Sequence, residues 1–133
     1  NGNTGNWNTG DWNTGDWNTG DWNTGFFSTL TPSCDLFEVP TNLTHNQILD
    51  LKGMLILNRS YENNWWIYSE NMSDEEKAAH PEHETTGGYL KTVPFTEACK
   101  MMWNKLTAEE KAEVQRLPNF NADIFERITG IKT

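Results

Sequence analysis

The chain has 133 residues, 19 acidic and 10 basic, for a net charge of -9. That balance argues against direct binding of a nucleic-acid backbone, which needs clustered Lys and Arg. No apolar run approaches the roughly 18 residues of a membrane span, and no basic segment leads into an apolar one as in a signal peptide. A cytoplasmic protein with no membrane partner is expected.

Residues 3–29 repeat every five residues: NTGNW, NTGDW three times, then NTGFF and Ser28-Thr29. Period five suits neither an isolated helix nor an isolated strand, and implies a stacked coil with one short side per pentapeptide. Gly and Asn supply the tight corners, and Asn and Thr side chains can bond the backbone locally.

After Leu30 the composition changes. Thr31-Pro32-Ser33 and Val39-Pro40-Thr41 mark a connector, with Phe37 and Val39 in a short strand. A helix is expected over Asn46 to Lys52, capped by Thr44 or Asn46 and stopped by Gly53. Met54 to Leu57 reads as a buried run, and Trp65 to Tyr68 as a strand or buried turn.

Ser73 and Glu76 form a capping box that opens a helix ending before Pro81. Thr85 to Leu90 reads as a turn and an extended piece. The next helix, over Phe95 to Asn104, carries Ala98, Met101, Met102 and Trp103 near one face. A second capping box, Thr107 with Glu110, opens a helix ending at Leu117-Pro118. Asn121 caps the last one, with Ile124, Phe125 and Ile128 inward and Gly130 closing it.

Centred on the aromatic residue, the repeat unit resembles the pentapeptide-repeat family: a small residue, Asp or Asn, a large apolar residue, then two polar positions. The resemblance covers about residues 3–29. It implies a right-handed, four-sided β-helix with four pentapeptides per turn and the aromatic residue inside. By that register Trp7, Trp12, Trp17, Trp22 and Phe27 form the repeat core. Gly5, Gly10, Gly15, Gly20 and Gly25 also face inward, and Asn6, Asp11, Asp16 and Asp21 face outward.

The expected fold is therefore mixed: about one turn of quadrilateral β-helix over 1–30, a connector over 31–43, and a small, mainly helical domain over 44–133. SDEEK (73–77), TTGGYLK (85–91), LPNF (117–120) and IFERITGI (124–131) resemble a C-terminal region of pentapeptide-repeat proteins of phages and mobile elements. No activity comes with that likeness.

No catalytic constellation stands out. His80-Pro81-Glu82-His83-Glu84 offers two imidazoles and two carboxylates, but Pro81 breaks any helix that would align them for a metal. It reads as a solvated loop, and no cofactor or metal is expected. Cys34 and Cys99 lack metal spacing and read as free thiols of a reducing compartment, with a single disulfide as the alternative. The sequons at Asn42, Asn58 and Asn71 read as chance in an Asn-rich chain.

Acidity is the remaining signal. Asp11, Asp16 and Asp21 fall one per repeat, with no Lys or Arg before Lys52, and Glu70, Asp74, Glu75 and Glu76 form a second group. These residues predict a non-enzymatic protein that binds a partner with a basic surface. Some pentapeptide-repeat proteins imitate DNA, so the resemblance implies a phage-encoded inhibitor of a nucleic-acid-binding enzyme, such as a topoisomerase or a CRISPR effector. The alternative is structural: the coil ends or caps a longer fibre or surface protein, associating with itself through the repeat.

Overall fold

The computed structural model describes all 133 residues, Asn1–Thr133. The chain forms two compact units: Asn1–Leu55 with Glu113–Phe120, and Ile56–Ala112 with Asn121–Thr133.

In the first unit the repeat returns on itself every ten residues. Thr4 pairs in parallel with Thr14, and Thr9 with Thr19. Strand β1 (Thr14–Asp16) pairs in parallel with β2 (Thr24–Phe26), Gly15 opposite Gly25. The N–H groups of Thr4, Thr9, Thr14 and Thr19 donate to the carbonyls of Asn13, Asn18, Asn23 and Ser28 at 2.7–2.8 Å. Gly15 and Gly20 donate back to Thr4 and Thr9 at 3.0 Å.

This overturns the expected four-sided β-helix. The strands are short, the sheets are separate two-stranded pairs, and no continuous β-helix runs through the chain. Two pentapeptides, rather than four, separate residues that lie one above the other. The interior residue also differs: Asn13, Asn18 and Asn23 are buried, while Trp7, Trp12, Trp17 and Phe27 are exposed.

Hydrogen bonding explains the exchange. Asn13 Oδ1 accepts from Asn23 N–H at 2.8 Å, and Asn13 Nδ2 donates to the Gly20 carbonyl at 2.8 Å. Asn18 repeats the pattern with Ser28 N–H and the Gly25 carbonyl, as do Asn3 and Asn8 with their own partners. One small amide thus satisfies a buried donor and a buried acceptor. An indole, a donor only, could not accept the buried N–H, and so could not do both.

Gly fits where successive turns approach most closely. A Cβ on Gly15 would lie 1.9 Å from the Gly25 carbonyl oxygen, and φ there is 111°. The aromatic corners adopt left-handed φ, from 54° at Phe27 to 63° at Trp17. Such a conformation costs of order 1 kcal/mol per non-Gly residue. The amide ladder and ring stacking offset it.

A hairpin follows, β3 (Ser33–Leu36) with β4 (Val39–Thr44), antiparallel. Phe37 is not in the strand as expected; with Glu38 it forms the turn, both at left-handed φ (52° and 65°). The Phe37 ring meets Phe120 edge-on at 5.1 Å. Thr44 caps α1 (His45–Leu49) through a capping box with Gln47.

A second helix, α2 (Lys52–Ser60), replaces the expected stop at Gly53 and includes the Met54–Leu57 run. Gly53 is there for proximity. A Cβ would lie 2.8 Å from the Glu113 carbonyl oxygen and 2.9 Å from the Leu117 side chain.

The second unit holds the antiparallel pair β5 (Asn64–Tyr68) and β6 (Gly88–Thr92). Between them lie a 3-10 turn (Ser69–Asn71), α3 (Asp74–Ala79) and α4 (His83–Thr86). The remaining helices are α5 (Phe95–Lys105), α6 (Ala108–Gln115) and α7 (Ala122–Thr129).

The core of this unit includes Ile56, Val93, Ala98, Cys99, Met102, Trp103, Leu106 and Phe125. Ile128 was expected inside but is 60% exposed. Ser73 and Asn121 cap their helices as expected, and Gly130 closes α7 at φ 78°. No helix is long and apolar enough to cross a membrane.

Candidate functional site: the aromatic and acidic face of the repeat

Because Asn fills the interior, the repeat carries its aromatic residues on the outside in two stacks. Trp7 and Trp17 lie with ring centroids 4.6 Å apart and planes within 12°. Phe27 continues the stack at 6.0 Å from Trp17. The second stack is Trp12 over Trp22 at 5.4 Å, closed by His45 at 3.6 Å. His45 opens α1, so that helix terminates the second stack while the first ends in open Phe27.

The stacking limits what these rings can bind. Inner ring faces are covered by their neighbours, so the stack sides offer ring edges and indole N–H groups. Edges carry the positive part of the ring quadrupole. Broad-face stacking with sugars is therefore confined to the outer faces of the end rings. The same limit holds for cations, which seek ring faces.

What remains is an apolar ridge; Phe26, in register with Asp16, and Leu30 are exposed as well. Phe26 and Leu30 were not anticipated from the sequence. The break in the repeat at NTGFF, where Phe replaces the usual Asp, is the signal that marks them.

The repeat carboxylates line up differently from the rings. Asp21 Oδ1 accepts from Asp11 N–H at 2.9 Å, and Asp16 Oδ1 accepts from Asn6 N–H at 2.8 Å. Asp11 and Asp21 therefore occupy one column and Asp16 another. One oxygen of Asp16 and of Asp21 holds the preceding turn, leaving the other for a partner. Asp11 Oδ1 lies 3.0 Å from the Asn1 amino group.

Of the second acidic group, Glu70 is exposed in the 3-10 turn, and Asp74 and Glu75 lie in the first turn of α3, where they favour the helix dipole. Glu76 is committed to the fold. It accepts from the Tyr89 hydroxyl and from Ser73 N–H. The Tyr89 hydrogen bond, with the Ser73 contact, holds its carboxyl below the usual range, and the same bond pushes the Tyr89 phenol up.

The segment expected as a solvated loop is in part helical, His83 and Glu84 opening α4, and it assembles no metal site. His80 pairs with Glu82 at 3.1 Å and stacks on Tyr89 at 3.9 Å. His83 Nδ1 lies 3.1 Å from Ser69 Oγ, while that hydroxyl donates to the His83 carbonyl at 3.0 Å. The Ser69 hydroxyl thus has two acceptors within reach, the His83 carbonyl and, in one tautomer, the imidazole Nδ1. Cys34 and Cys99 are unpaired, and burial raises the Cys99 thiol.

No family model matches the chain, and neither a curated protein nor a solved structure matches it.

Proposed function

We propose that the chain is a non-enzymatic interaction protein that docks a basic protein surface on its repeat. The outward stack of Trp7, Trp17 and Phe27 carries this reading. Trp7 and Phe27 are 65% and 74% exposed, and an exposed aromatic ridge of this kind is a feature of binding surfaces. Asp11, Asp16 and Asp21 supply the charge that selects a basic partner, and no Lys or Arg occurs before Lys52.

The narrower reading, occupation of the basic groove of a nucleic-acid-binding enzyme, has less support. Such mimicry calls for a run of charge along one line, and the three Asp residues divide between two columns.

The test is capture from a lysate of the source cell at low salt by three proteins: the parent, a Trp7→Ser/Trp17→Ser/Phe27→Ser variant and an Asp11→Asn/Asp16→Asn/Asp21→Asn variant. The expected result is a basic protein retained by the parent, lost by the ring variant and weakened by the charge variant. Equal recovery by all three would refute the proposal.

A further inference from the structure

The strand pair β5–β6 stands alone as a two-stranded sheet. Its hydrogen-bond phase is set by Val93 N–H donating to the Asn63 carbonyl and Ser69 N–H donating to the Gly87 carbonyl. In that phase Trp65 with Lys91 and Ile67 with Tyr89 are the bonded pairs. Asn64 with Thr92, Trp66 with Leu90 and Tyr68 with Gly88 are the non-bonded pairs. The N–H and C=O groups of Asn64, Trp66 and Tyr68 therefore point away from β6, along the free edge of β5.

The side chains of those residues share one face. Exposure alternates from Glu62 through Asn64, Trp66 and Tyr68 to Glu70, all exposed, with half-buried residues between. Trp66 lies across Gly88: a Cβ there would be 2.7 Å from the indole Nε1. Bare Gly88 backbone thus seats the ring, an arrangement known to steady strand glycines. The indole nonetheless stays 42% exposed, and Tyr68 stays 60% exposed.

We infer that the β5 edge accepts an extended, basic segment of a partner protein as a third strand. Main-chain groups of Asn64, Trp66 and Tyr68 would supply the ladder, and the Trp66 and Tyr68 rings would cover alternate side chains of the incoming strand. Charge identifies the occupant. Glu62 and Glu70 bracket the strand, and along the chain no Lys or Arg lies between Arg59 and Lys77; Lys105 shares a pocket with Glu62 and Trp65, the half-buried side of the strand. The other edge, β6, carries Lys91 and lacks this bias.

Charge also argues against a second copy of the chain. Antiparallel pairing of two β5 edges would bring Glu62 of one copy toward Glu70 of the other. The β5 edge does not depend on the function proposed for the repeat.

The probe is a short synthetic peptide alternating valine and lysine, titrated into the full chain. Binding is followed by amide hydrogen exchange. Slowed exchange at Asn64, Trp66 and Tyr68 is expected. A peptide N-methylated at every central residue keeps charge and side chains but has no N–H for the ladder on either edge, and should bind at least about tenfold more weakly. Glu62→Gln/Glu70→Gln should weaken the parent peptide by roughly three- to tenfold.

Equal binding of the N-methylated peptide would overturn the inference, as would protection confined to other amides or no binding at all. Self-association of the chain alone with protection of the β5 amides would also overturn it, making a second copy the occupant.

Discussion

The Asn13 side chain accepts the Asn23 N–H at 2.8 Å, ten residues along the chain, and the same amide donates to Gly20. This contact turns the repeat inside out relative to an aromatic-cored coil. Asparagine occupies the interior, and the rings face outward.

Replacing Asn13 by Ala leaves a buried N–H and a buried carbonyl without partners, so about 2–4 kcal/mol of stability is lost. Asn13→Asp should be worse, because it buries a charge and removes the donor to Gly20. Asn3, at the less buried end of the ladder, should cost about 1 kcal/mol when changed to Ala. Urea denaturation of the three variants checks the order.

Glu38 is held at φ 65° in the β3–β4 turn, a conformation that favours Gly. Glu38→Gly should therefore stabilise by about 0.5–1 kcal/mol. Phe37→Gly should instead destabilise, because it removes the ring that meets Phe120. Thermal melts of the pair decide whether turn strain is real.

Gly53→Ala raises intrinsic helix propensity by about 1 kcal/mol. The new methyl would nevertheless press on the Glu113 carbonyl oxygen at 2.8 Å. Backbone there yields little, so a net loss of about 1–2 kcal/mol is expected by chemical denaturation. A neutral or stabilising result would remove the close approach.

Glu76 and Tyr89 predict the pH response of the second unit. The folded carboxyl is lowered, so its contribution is present above the ordinary carboxylate range. It is lost as pH falls through the lowered value. The Tyr89 phenol is raised, so its contribution is complete below the ordinary tyrosine range and is lost as pH rises through the raised value. Glu76→Gln should flatten the acid limb of a stability profile relative to the parent.

What could be read from the sequence was local. Ser73 with Glu76, Asn121 and Gly130 each act within four residues, and the structure places all three caps as expected. The direction of the repeat side chains was not local. A five-residue period is compatible with two or four units per turn, and only the contacts between Asn13 and Asn23 and between Gly15 and Gly25 distinguish them.

Gly53 misled for a related reason. Its role is a contact with Glu113, far along the chain. At the candidate site, the one-per-repeat spacing of Asp11, Asp16 and Asp21 is visible in the sequence, but their division into two columns is not. The Trp7–Trp17–Phe27 stack was named by residue but expected inside.

Hydroxyl-radical footprinting of the chain, alone and with its captured partner, tests the central claim most directly. Trp7, Trp17 and Phe27 should label strongly in the free protein, Trp103 weakly, and the first three should be protected in the complex. Labelling of Trp7 and Trp17 as weak as that of Trp103, or no protection on binding, would contradict an outward aromatic ridge that docks a partner.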